Sequence, residues 1–242
     1  MQIAYRVKGF LQSFRKIVFR GNKYFCPLCN AGYSRLLATG VQRRANARCP
    51  GCDSLERHRL LWVALGHLWG QKIFKNEGRL LHVAPEQCLR EQLEGRYNYV
   101  SADMFADNIQ IKTDITALCF PDNSFDAIIC NHVLEHVPED CKALAELFRV
   151  LKHEGWGSIQ VPMVKGGTRE DLSIVDPAER ERLYGQGDHV RLYGDDFRDR
   201  LRDAGFEVVE LKKGDLLNPQ QLERLSVDCE ESVILVRKLS KV

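Results

Sequence analysis

From residue 78 to the end of the chain, short apolar runs alternate with segments that carry apolar residues at helical spacing. Such alternation indicates a mainly parallel sheet with helices on both faces, because each strand returns to the same edge through a helix. Strands are expected near residues 79–84, 97–102, 109–112, 125–131, 156–162, 206–211 and 231–238. Helices are expected near residues 86–94, 138–151 and 194–204. The sequence therefore predicts a doubly wound α/β domain over residues 71–242.

The stretch between residues 163 and 193 interrupts this alternation. It is long, polar and contains glycines. Connections inside compact domains are usually shorter, and long ones often carry function. We therefore interpret residues 163–193 as a lid or substrate loop.

Two CxxC pairs, CPLC at residues 26–29 and CPGC at residues 49–52, stand with nineteen residues between them. Each CxxC turn can place two thiolates on one ion, so that four sulfurs can surround zinc tetrahedrally. The predicted metal ligands are Cys26, Cys29, Cys49 and Cys52. Because protein side chains fill all four positions, we expect the zinc to be structural.

The residues around these pairs indicate a treble-clef or zinc-ribbon-like module over residues 23–70. After the second pair, Asp53 and Glu56 stand three residues apart, the spacing of a capping box, and open a segment of helical periodicity. The sequence leaves two roles open for this module. It either braces a neighbouring domain or binds a polyanion.

Residues 1–52 contain ten Lys or Arg and no Asp or Glu, so they carry +10, and the net charge of +2 leaves −8 on the rest. A concentrated positive field attracts phosphate, in nucleic acid or in anionic lipid. Within it, residues 1–22 form a basic amphipathic arm. Its apolar side consists of Ile3, Val7, Phe10, Leu11, Phe14, Ile17 and Val18. This arm can lie on an anionic membrane surface, and packing on the protein's own core is the simpler interpretation.

No apolar run approaches the length of a transmembrane segment, and the N-terminus lacks the pattern of a secretion signal. The nine cysteines are an odd number, and four of them stand in the CxxC pairs. This usage favours a metal site in a reducing cytoplasm over a disulfide framework.

Residues 114–162, DITALCFPDNSFDAIICNHVLEHVPEDCKALAELFRVLKHEGWGSIQVP, resemble the middle of the class I S-adenosylmethionine-dependent methyltransferases, particularly the type 11 group. In that group a phrase like PFPDNSFD leads into the fourth strand, a LEHV-like phrase follows it, and RVLKPGG enters the fifth. Here Cys119 replaces the first Pro, and His153 and Glu154 replace Pro and Gly. The resemblance covers residues 78–238 and implies a Rossmann-like methyltransferase sheet with S-adenosyl-L-methionine as cofactor.

The first loop departs from the family pattern. Members usually carry an acidic residue on the first strand followed by GxGxG. The aligned residues here are His82, Val83, Ala84, Pro85 and Glu86. The carboxylate of methionine is smaller than a pyrophosphate and needs less of a glycine cradle. The resemblance thus implies cofactor contacts from His82, Ala84 and Glu86, with Glu86 at the amino group.

Further cofactor contacts are implied by position in the family pattern. Asp103 follows the second strand, where a carboxylate can accept both ribose hydroxyls, and Asp114 with Ile115 matches the acidic residue that meets the adenine amine. Asn131 and His132 end the fourth strand, facing the ligand crevice. A turn or capping role is the alternative for both aspartates.

Methyl transfer needs mainly alignment of the acceptor and exclusion of water, with a base only where the acceptor arrives protonated. The candidate bases are His136 in LEHV and His189 in GDHVRLYG. A packing or capping role is the alternative for His136. A role in closing the lid is the alternative for His189.

Three functions stay open on the sequence. The first is methyl transfer to an oxygen of a glycan, a lipid-linked molecule or another small molecule, favoured by the type 11 resemblance and the HVRLYG phrase. The second is methylation of ribosomal or transfer RNA, favoured by the +10 segment, although no NPPY-like phrase follows the fourth strand. The third is a non-catalytic scaffold or binding protein on a degenerate methyltransferase fold.

Overall fold

The computed structural model describes residues 12–40, 43–227 and 232–240. The described residues form two compact units. The cysteine unit contains the described residues up to Ile73, residues 87–92 and the described residues between 211 and 233. The sheet unit contains residues 74–86, residues 93–210 and the described residues from Ile234 onward.

The strands are β1 (Arg20–Cys26), β2 (Ala31–Tyr33), β3 (Leu37–Thr39), β4 (Arg44–Arg48), β5 (Arg79–Val83), β6 (Asn98–Asp103), β7 (Ile111–Lys112), β8 (Phe125–Asn131), β9 (Leu151–Gln160), β10 (Arg169–Glu170), β11 (Arg191–Leu192), β12 (Glu207–Leu211) and β13 (Val233–Arg237). The helices are α1 (helical residues 12–18), α2 (Glu56–Gly70), α3 (Gln87–Leu93), α4 (Asp140–Val150), α5 (Pro177–Tyr184), α6 (Phe197–Asp203), α7 (Lys213–Leu216) and α8 (Pro219–Leu225), with a 3₁₀ turn at Leu134–His136.

The cysteine unit is built on two antiparallel hairpins and a helix. β1 pairs with β2 around the first CxxC turn, and β3 pairs with β4 immediately before the second. α2 follows the second turn and buries an apolar stripe that includes Leu60, Leu61, Ala64 and Leu65. The two hairpins and α2 thus surround the two CxxC turns.

Three apolar side chains of the N-terminal arm are largely exposed. Phe14, Ile17 and Val18 of α1 are 57%, 75% and 52% exposed. For these three residues, packing on the protein's own core is not observed. The other members of the apolar side, which are Ile3, Val7, Phe10 and Leu11, lie outside the described residues.

The expected capping box at Asp53 and Glu56 does not form. The second CxxC turn extends through Asp53, whose amide donates to the Cys49 carbonyl (3.0 Å) and whose φ is +57°. Its carboxylate lies 3.3 Å from Arg15 and 3.6 Å from Arg48. α2 therefore begins only at Glu56, from an extended Leu55.

The seven-stranded sheet has the order β12-β13-β9-β8-β5-β6-β7. The five strands β7, β6, β5, β8 and β9 run parallel to one another, and β13 is antiparallel to β9. The chain moves outward from β5 to β7 and then returns to β8 on the other side of β5. This reversal is the switch point at which open α/β sheets bind ligands, beyond the carboxyl ends of the strands.

The core of the sheet unit packs helices against the apolar strands. α4 contributes Ala143, Leu144, Leu147 and Val150, all fully buried, at the spacing of one helix face. The strands and helices predicted from the sequence are confirmed to within a few residues, except that β9 starts at Leu151. The chain passes from α4 straight into this strand, and a register irregularity between Phe125 and Ala127 accommodates its start.

Residues 163–193 contain regular structure that the sequence pattern does not indicate. β10 and β11 form a short antiparallel pair, and α5 lies between them in the chain. Asp176 caps α5 by accepting from the amides of Ala178 (2.8 Å) and Glu179 (3.0 Å). We call residues 163–193 the insertion.

Candidate functional site

The first loop after β5 adopts a glycine-like conformation without glycine. Ala84 has φ of +47°, in the left-handed region that glycine enters at no cost. Its amide donates to the Ala102 carbonyl (2.9 Å), which fixes the turn to the neighbouring strand. The backbone of this turn is therefore left-handed at Ala84, although no glycine is present.

His82 and Glu86 form a buried pair beneath this loop. His82 is fully buried, with Nε2 2.8 Å from Glu86 Oε2 and Nδ1 2.9 Å from the Tyr99 hydroxyl. Both ring nitrogens are thus engaged inside the sheet unit. The side chain of His82 orients Glu86, which is the member of the pair nearer to solvent, with a side chain 17% exposed.

The two aspartates predicted to bind the cofactor also hold turns. Asp103 Oδ1 accepts from the amides of Phe105 (2.6 Å) and Ala106 (2.8 Å), and its Oδ2 takes part in neither bond. Asp114 Oδ1 accepts from the Thr116 amide (2.8 Å) and hydroxyl (2.9 Å). The turn role proposed as the alternative is therefore present, and one oxygen of each carboxylate lies outside these bonds.

Apolar side chains flank Asp103 on the loop after β6. Met104 is 52% exposed and Phe105 is 80% exposed, whereas Ile115, beside Asp114, is buried. Met104 and Phe105 were not among the predicted site residues, although two large apolar residues directly after a strand-end aspartate were a usable signal. They offer an apolar surface for a flat ring next to the carboxylate.

Two polar residues lie at the end of β8, the buried Asn131 and the partly exposed His132. Asn131 is buried, and its Oδ1 accepts from the Ser158 hydroxyl (2.8 Å) on β9. His132 has φ of +54°, and its Nδ1 lies 3.3 Å from Glu135 Oε1. Asn131 thus holds the strand ends together, while His132 turns toward the chain that follows β8.

His136 and His189, predicted as alternative bases, lie against each other. Their ring centroids are 4.8 Å apart at an angle of 81°. His189 is buried with Nδ1 3.0 Å from the Tyr184 carbonyl, and His136 Nδ1 lies 3.3 Å from the carboxylate of Asp188. Glu135, which the sequence analysis did not name, completes the group, with a ligand atom within 4.8 Å of one on each histidine.

A network of charged groups fixes the insertion to the end of β8. Arg191 is buried and donates to the carbonyls of Leu134 and Pro138 and to the Glu170 carboxylate (2.7 Å). Tyr193 donates to Asp140 (2.7 Å). Burial raises the pKa of Tyr193 well above its ordinary value, and Asp140 adds to this effect.

The four cysteines of the CxxC pairs come together in the cysteine unit. Cys26 and Cys52 have their sulfurs 3.6 Å apart, and Cys29 and Cys49 3.7 Å apart. Thiolates bound tetrahedrally to zinc lie about 3.8 Å from one another. Hydrogen bonding among the four groups, led by that from Cys29, lowers the pKa of Cys26 far below its ordinary value.

Polar groups of neighbouring residues contact these sulfurs. The Gly51 amide donates to Cys49 (3.4 Å), and the Ser54 and Tyr33 hydroxyls lie 3.3 Å from Cys26 and Cys29. Such outer contacts orient metal ligands.

Arg59 is fully buried among the carbonyls of Ala47, Ser54, Leu225 and Ser226. Burial lowers its pKa, and the nearby thiolates of Cys26, Cys49 and Cys52 together with Glu56 oppose that effect. A four-thiolate site loaded with a divalent ion carries two negative charges, which compensate the guanidinium.

Residues 78–159 match a family model described as a methyltransferase domain. A ubiquinone/menaquinone biosynthesis C-methyltransferase of Bradyrhizobium is 32% identical over 35% of this chain and 32% of its own length. The homologous enzyme of Salmonella arizonae is 30% identical over 41% of this chain and 46% of its own. A sterol 24-C-methyltransferase of Yarrowia lipolytica is 29% identical over 48% of this chain and 31% of its own length. The chain thus spans less than half the length of these curated relatives.

Solved structures share the fold at low identity. The CurJ carbon methyltransferase matches with a TM-score of 0.53 and 16% identity, over 78% of this chain and 56% of that one. The 1,6-didemethyltoxoflavin N1-methyltransferase of Burkholderia thailandensis matches with a TM-score of 0.50 and 15% identity, over 76% of this chain and 83% of that one. No helix among the described residues is both long and apolar enough to cross a membrane. Residues 78–159 are therefore similar to a methyltransferase domain, and the sheet order around them agrees with the Rossmann-like sheet expected from the sequence.

Proposed function

We propose that the protein transfers a methyl group from S-adenosyl-L-methionine to a small-molecule or lipid-linked acceptor. The observation that carries this proposal is the switch point of the sheet, where the left-handed Ala84 turn follows β5 and the half-buried Asp103 ends the adjacent strand β6. The residues present fit an adenosyl group. Asp103 Oδ2 is available for ribose hydroxyls, and Met104 and Phe105 offer apolar surface for the base.

The bound cofactor supplies an electrophilic methyl group on sulfur. The chain's own residues would bind and orient it. Ala84 shapes the turn before α3, and Glu86, held by His82, would offer a carboxylate to the amino group of the methionine chain. By the family pattern, Asp114 and Ile115 would contact the adenine, and Asn131 and His132 would line the site at the end of β8.

Calorimetry with S-adenosyl-L-methionine and its demethylated product tests cofactor binding. We expect saturable binding that weakens about tenfold or more in Asp103→Ala, because ribose hydroxyls lose charge-assisted hydrogen bonds. Asp107→Ala, at an exposed aspartate near Lys112 on the same loop, is the matched control and should bind normally. Absence of binding by the intact protein would leave the scaffold interpretation.

The acceptor atom is a separate part of the proposal. We infer an oxygen acceptor on a glycan, a lipid-linked molecule or another small molecule, because His136 and His189 offer groups that can take a hydroxyl proton. The curated relatives are named as C-methyltransferases, so carbon is the alternative. Incubating the protein with isotopically methyl-labelled cofactor and a metabolite extract, followed by NMR of the labelled product, separates methoxy from carbon-bound methyl.

RNA is a second candidate acceptor, and one observation favours it. A cavity of ≈ 410 Å³ in the cysteine unit is lined by Lys16, Ile17 and Arg20 on one side and by residues 29–33 on the other. If this surface binds RNA, the affinity for RNA falls steeply as the salt concentration rises. The double change Lys16→Ala and Arg20→Ala then reduces the slope of log affinity against log salt concentration by about one for each phosphate that is no longer neutralised. Lys72→Ala, outside the basic segment, is the control. A salt-independent affinity contradicts this candidate.

We further propose that Cys26, Cys29, Cys49 and Cys52 bind one structural zinc per chain, which the sulfur spacing and the surrounding donors support. Reduced thiolates of this kind favour a cytoplasmic location. Metal analysis should give about one zinc per chain fewer in Cys26→Ser than in the wild type. Cys141→Ser, at an exposed cysteine outside the cluster, should retain it.

A further inference from the structure

Three side chains with metal-binding chemistry meet in the sheet unit, where the chain after β8 faces the insertion. They are Glu135, His136 and His189, and one potential ligand atom of each lies within 4.8 Å of those of the others. Across the residues that the structure describes, the four-cysteine cluster is the only other group of this kind. We call these three residues the histidine–glutamate cluster.

The hydrogen bonds of both histidines leave Nε2 as the atom with a free electron pair. Nδ1 of His189 lies 3.0 Å from the Tyr184 carbonyl, which only accepts, so Nδ1 carries the proton in the neutral ring. Nδ1 of His136 lies 3.3 Å from both the carbonyl and the carboxylate of Asp188. Histidines that bind metals usually donate their second ring N–H to a carbonyl or carboxylate in this way.

Two buried atoms of the cluster have no hydrogen-bond partner, namely Nε2 of His189 and Oε2 of Glu135. Both residues are 2% exposed. A carboxylate oxygen and an unprotonated ring nitrogen are both acceptors, so they cannot satisfy each other. Because buried polar atoms nearly always have a partner, a group that accepts electron pairs from both is expected between them.

We propose that Glu135, His136 and His189 bind a divalent transition-metal ion through one carboxylate oxygen and two imidazole nitrogens. This donor set is typical of zinc and non-haem iron(II) sites. Ligand atoms about 2.1 Å from one ion lie at most about 4.2 Å apart, so the cluster contracts slightly on binding. Three protein ligands leave a coordination position open, and the side chain of His136, 35% exposed, lies on the solvent side.

The ion's role in catalysis rests on the proposed function, whereas its binding does not. An acceptor hydroxyl at the open position would lose its proton more readily, because a bound divalent cation lowers the pKa of oxygen ligands. The proton passes to solvent, and the oxygen forms the new bond to the methyl carbon. The S–CH₃ bond breaks with its electron pair retained by sulfur. The cluster therefore selects hydroxyl acceptors over carbon.

Titration with cobalt(II) tests the site directly. The protein is first loaded with zinc at the four cysteines, and one further equivalent of cobalt per chain should bind with the weak visible bands of nitrogen and oxygen ligation. Exchange into the cysteine cluster is recognised by intense thiolate charge-transfer bands. Affinity should fall at least about 10–100-fold in Glu135→Gln and His189→Gln, and stay unchanged in His153→Gln, an exposed histidine outside the cluster.

Absence of a second equivalent, or equal cobalt affinity in all variants, would overturn the proposal and leave a bound water as the partner of the two acceptors. Should the buried His189→Gln variant fail to fold by circular dichroism, His136→Gln provides the same test from a partly exposed position. The titration contains no methyl donor, so its result is independent of cofactor calorimetry on the same protein. Cobalt binding without cofactor binding would refute the methyltransferase proposal alone.

Discussion

Ala84 holds a left-handed backbone in the turn where family members place glycine. For an L-residue with a Cβ atom this region costs roughly 1–2 kcal/mol relative to the right-handed one. Glu154 shows the same feature, with φ of +59° at a second position where the family phrase has glycine. The chain therefore places an L-residue in the left-handed region at both positions, and each position carries backbone strain.

The two positions compensate for that strain differently. The carboxylate of Glu154 accepts from the amide and hydroxyl of Ser240 (3.0 Å each) and from Arg237 (3.1 Å), so glutamate gains contacts that glycine lacks. The side chain of Ala84 can form no hydrogen bond. Relief of strain should accordingly be measurable at Ala84.

Ala84→Gly is expected to raise the free energy of unfolding of the sheet unit by up to about 1 kcal/mol. The relief of the left-handed strain exceeds the extra entropy that glycine loses on folding, which is about 0.4–1 kcal/mol. Denaturant unfolding monitored by circular dichroism measures the change. Ala145→Gly, at an exposed position in the middle of α4, is the control and should destabilise by about 1 kcal/mol. Equal destabilisation by both changes would contradict the strain argument.

At the scale of elements, Arg149 joins α4 to the loop before β8. It donates to Glu146 (2.7 Å), to Asp122 (2.7 Å) and to the carbonyls of Leu118 (2.9 Å) and Phe120 (2.8 Å). The second oxygen of Glu146 accepts from the Leu118 amide (2.7 Å). One arginine of the following helix thus binds the Phe120 carbonyl and the Asp122 carboxylate of the phrase CFPDNSFD, together with the Leu118 carbonyl just before it.

The Glu146–Arg149 contact makes stability depend on pH in the acid range. The hydrogen bond from Arg149 lowers the pKa of Glu146 below its ordinary value of about 4.5. A carboxyl group with a lowered folded pKa stabilises the fold above its unfolded pKa and loses that contribution as pH falls. Glu146→Gln should therefore destabilise by about 1 kcal/mol at pH 7 and by progressively less below pH about 4.

Thermal unfolding of wild type and Glu146→Gln between pH 3 and 7 measures this difference. Glu139→Gln is the control, because its ion pair with Lys142 on the same helix is exposed and contributes little. A Glu146→Gln difference that stays constant across the range would show that the loss is one of packing, not of charge.

Element types in the sheet unit were predictable because apolar periodicity and the FPDNSFD and LEHV phrases are local signals. The histidine–glutamate cluster was not predictable as a group. His189 reaches His136 because Arg191 binds the carbonyls of Leu134 and Pro138, and such long-range contacts leave no local pattern. The end of the second CxxC turn was not predictable either, because Asp53 forms ion pairs with distant residues instead of capping α2.

At the scale of the whole molecule, the cysteine unit is discontinuous in sequence. Residues 87–92 and the described residues between 211 and 233 belong to it, although residues 74–86 and 93–210 and the described residues from Ile234 onward belong to the sheet unit. Arg59 shows how the distant segment is held, since it bonds to Ser54 near the second CxxC pair and to Leu225 and Ser226 on and after α8. The segment that contains α7 and α8 thus depends on the fold around the two CxxC pairs.

Zinc removal should therefore raise hydrogen exchange in all segments of the cysteine unit together. Without the ion, four thiols no longer bind one centre and the folding free energy of metal binding is lost. Backbone amides of α2 and α8 should exchange faster after chelation, whereas those of β5 and β8 stay protected because the sheet unit has its own buried core. Hydrogen exchange with mass spectrometry, on wild type with and without chelator and on Cys29→Ser, measures this. Cys141→Ser should behave as wild type, and continued protection of α8 in the zinc-free protein would show that the C-terminal segment folds without the metal.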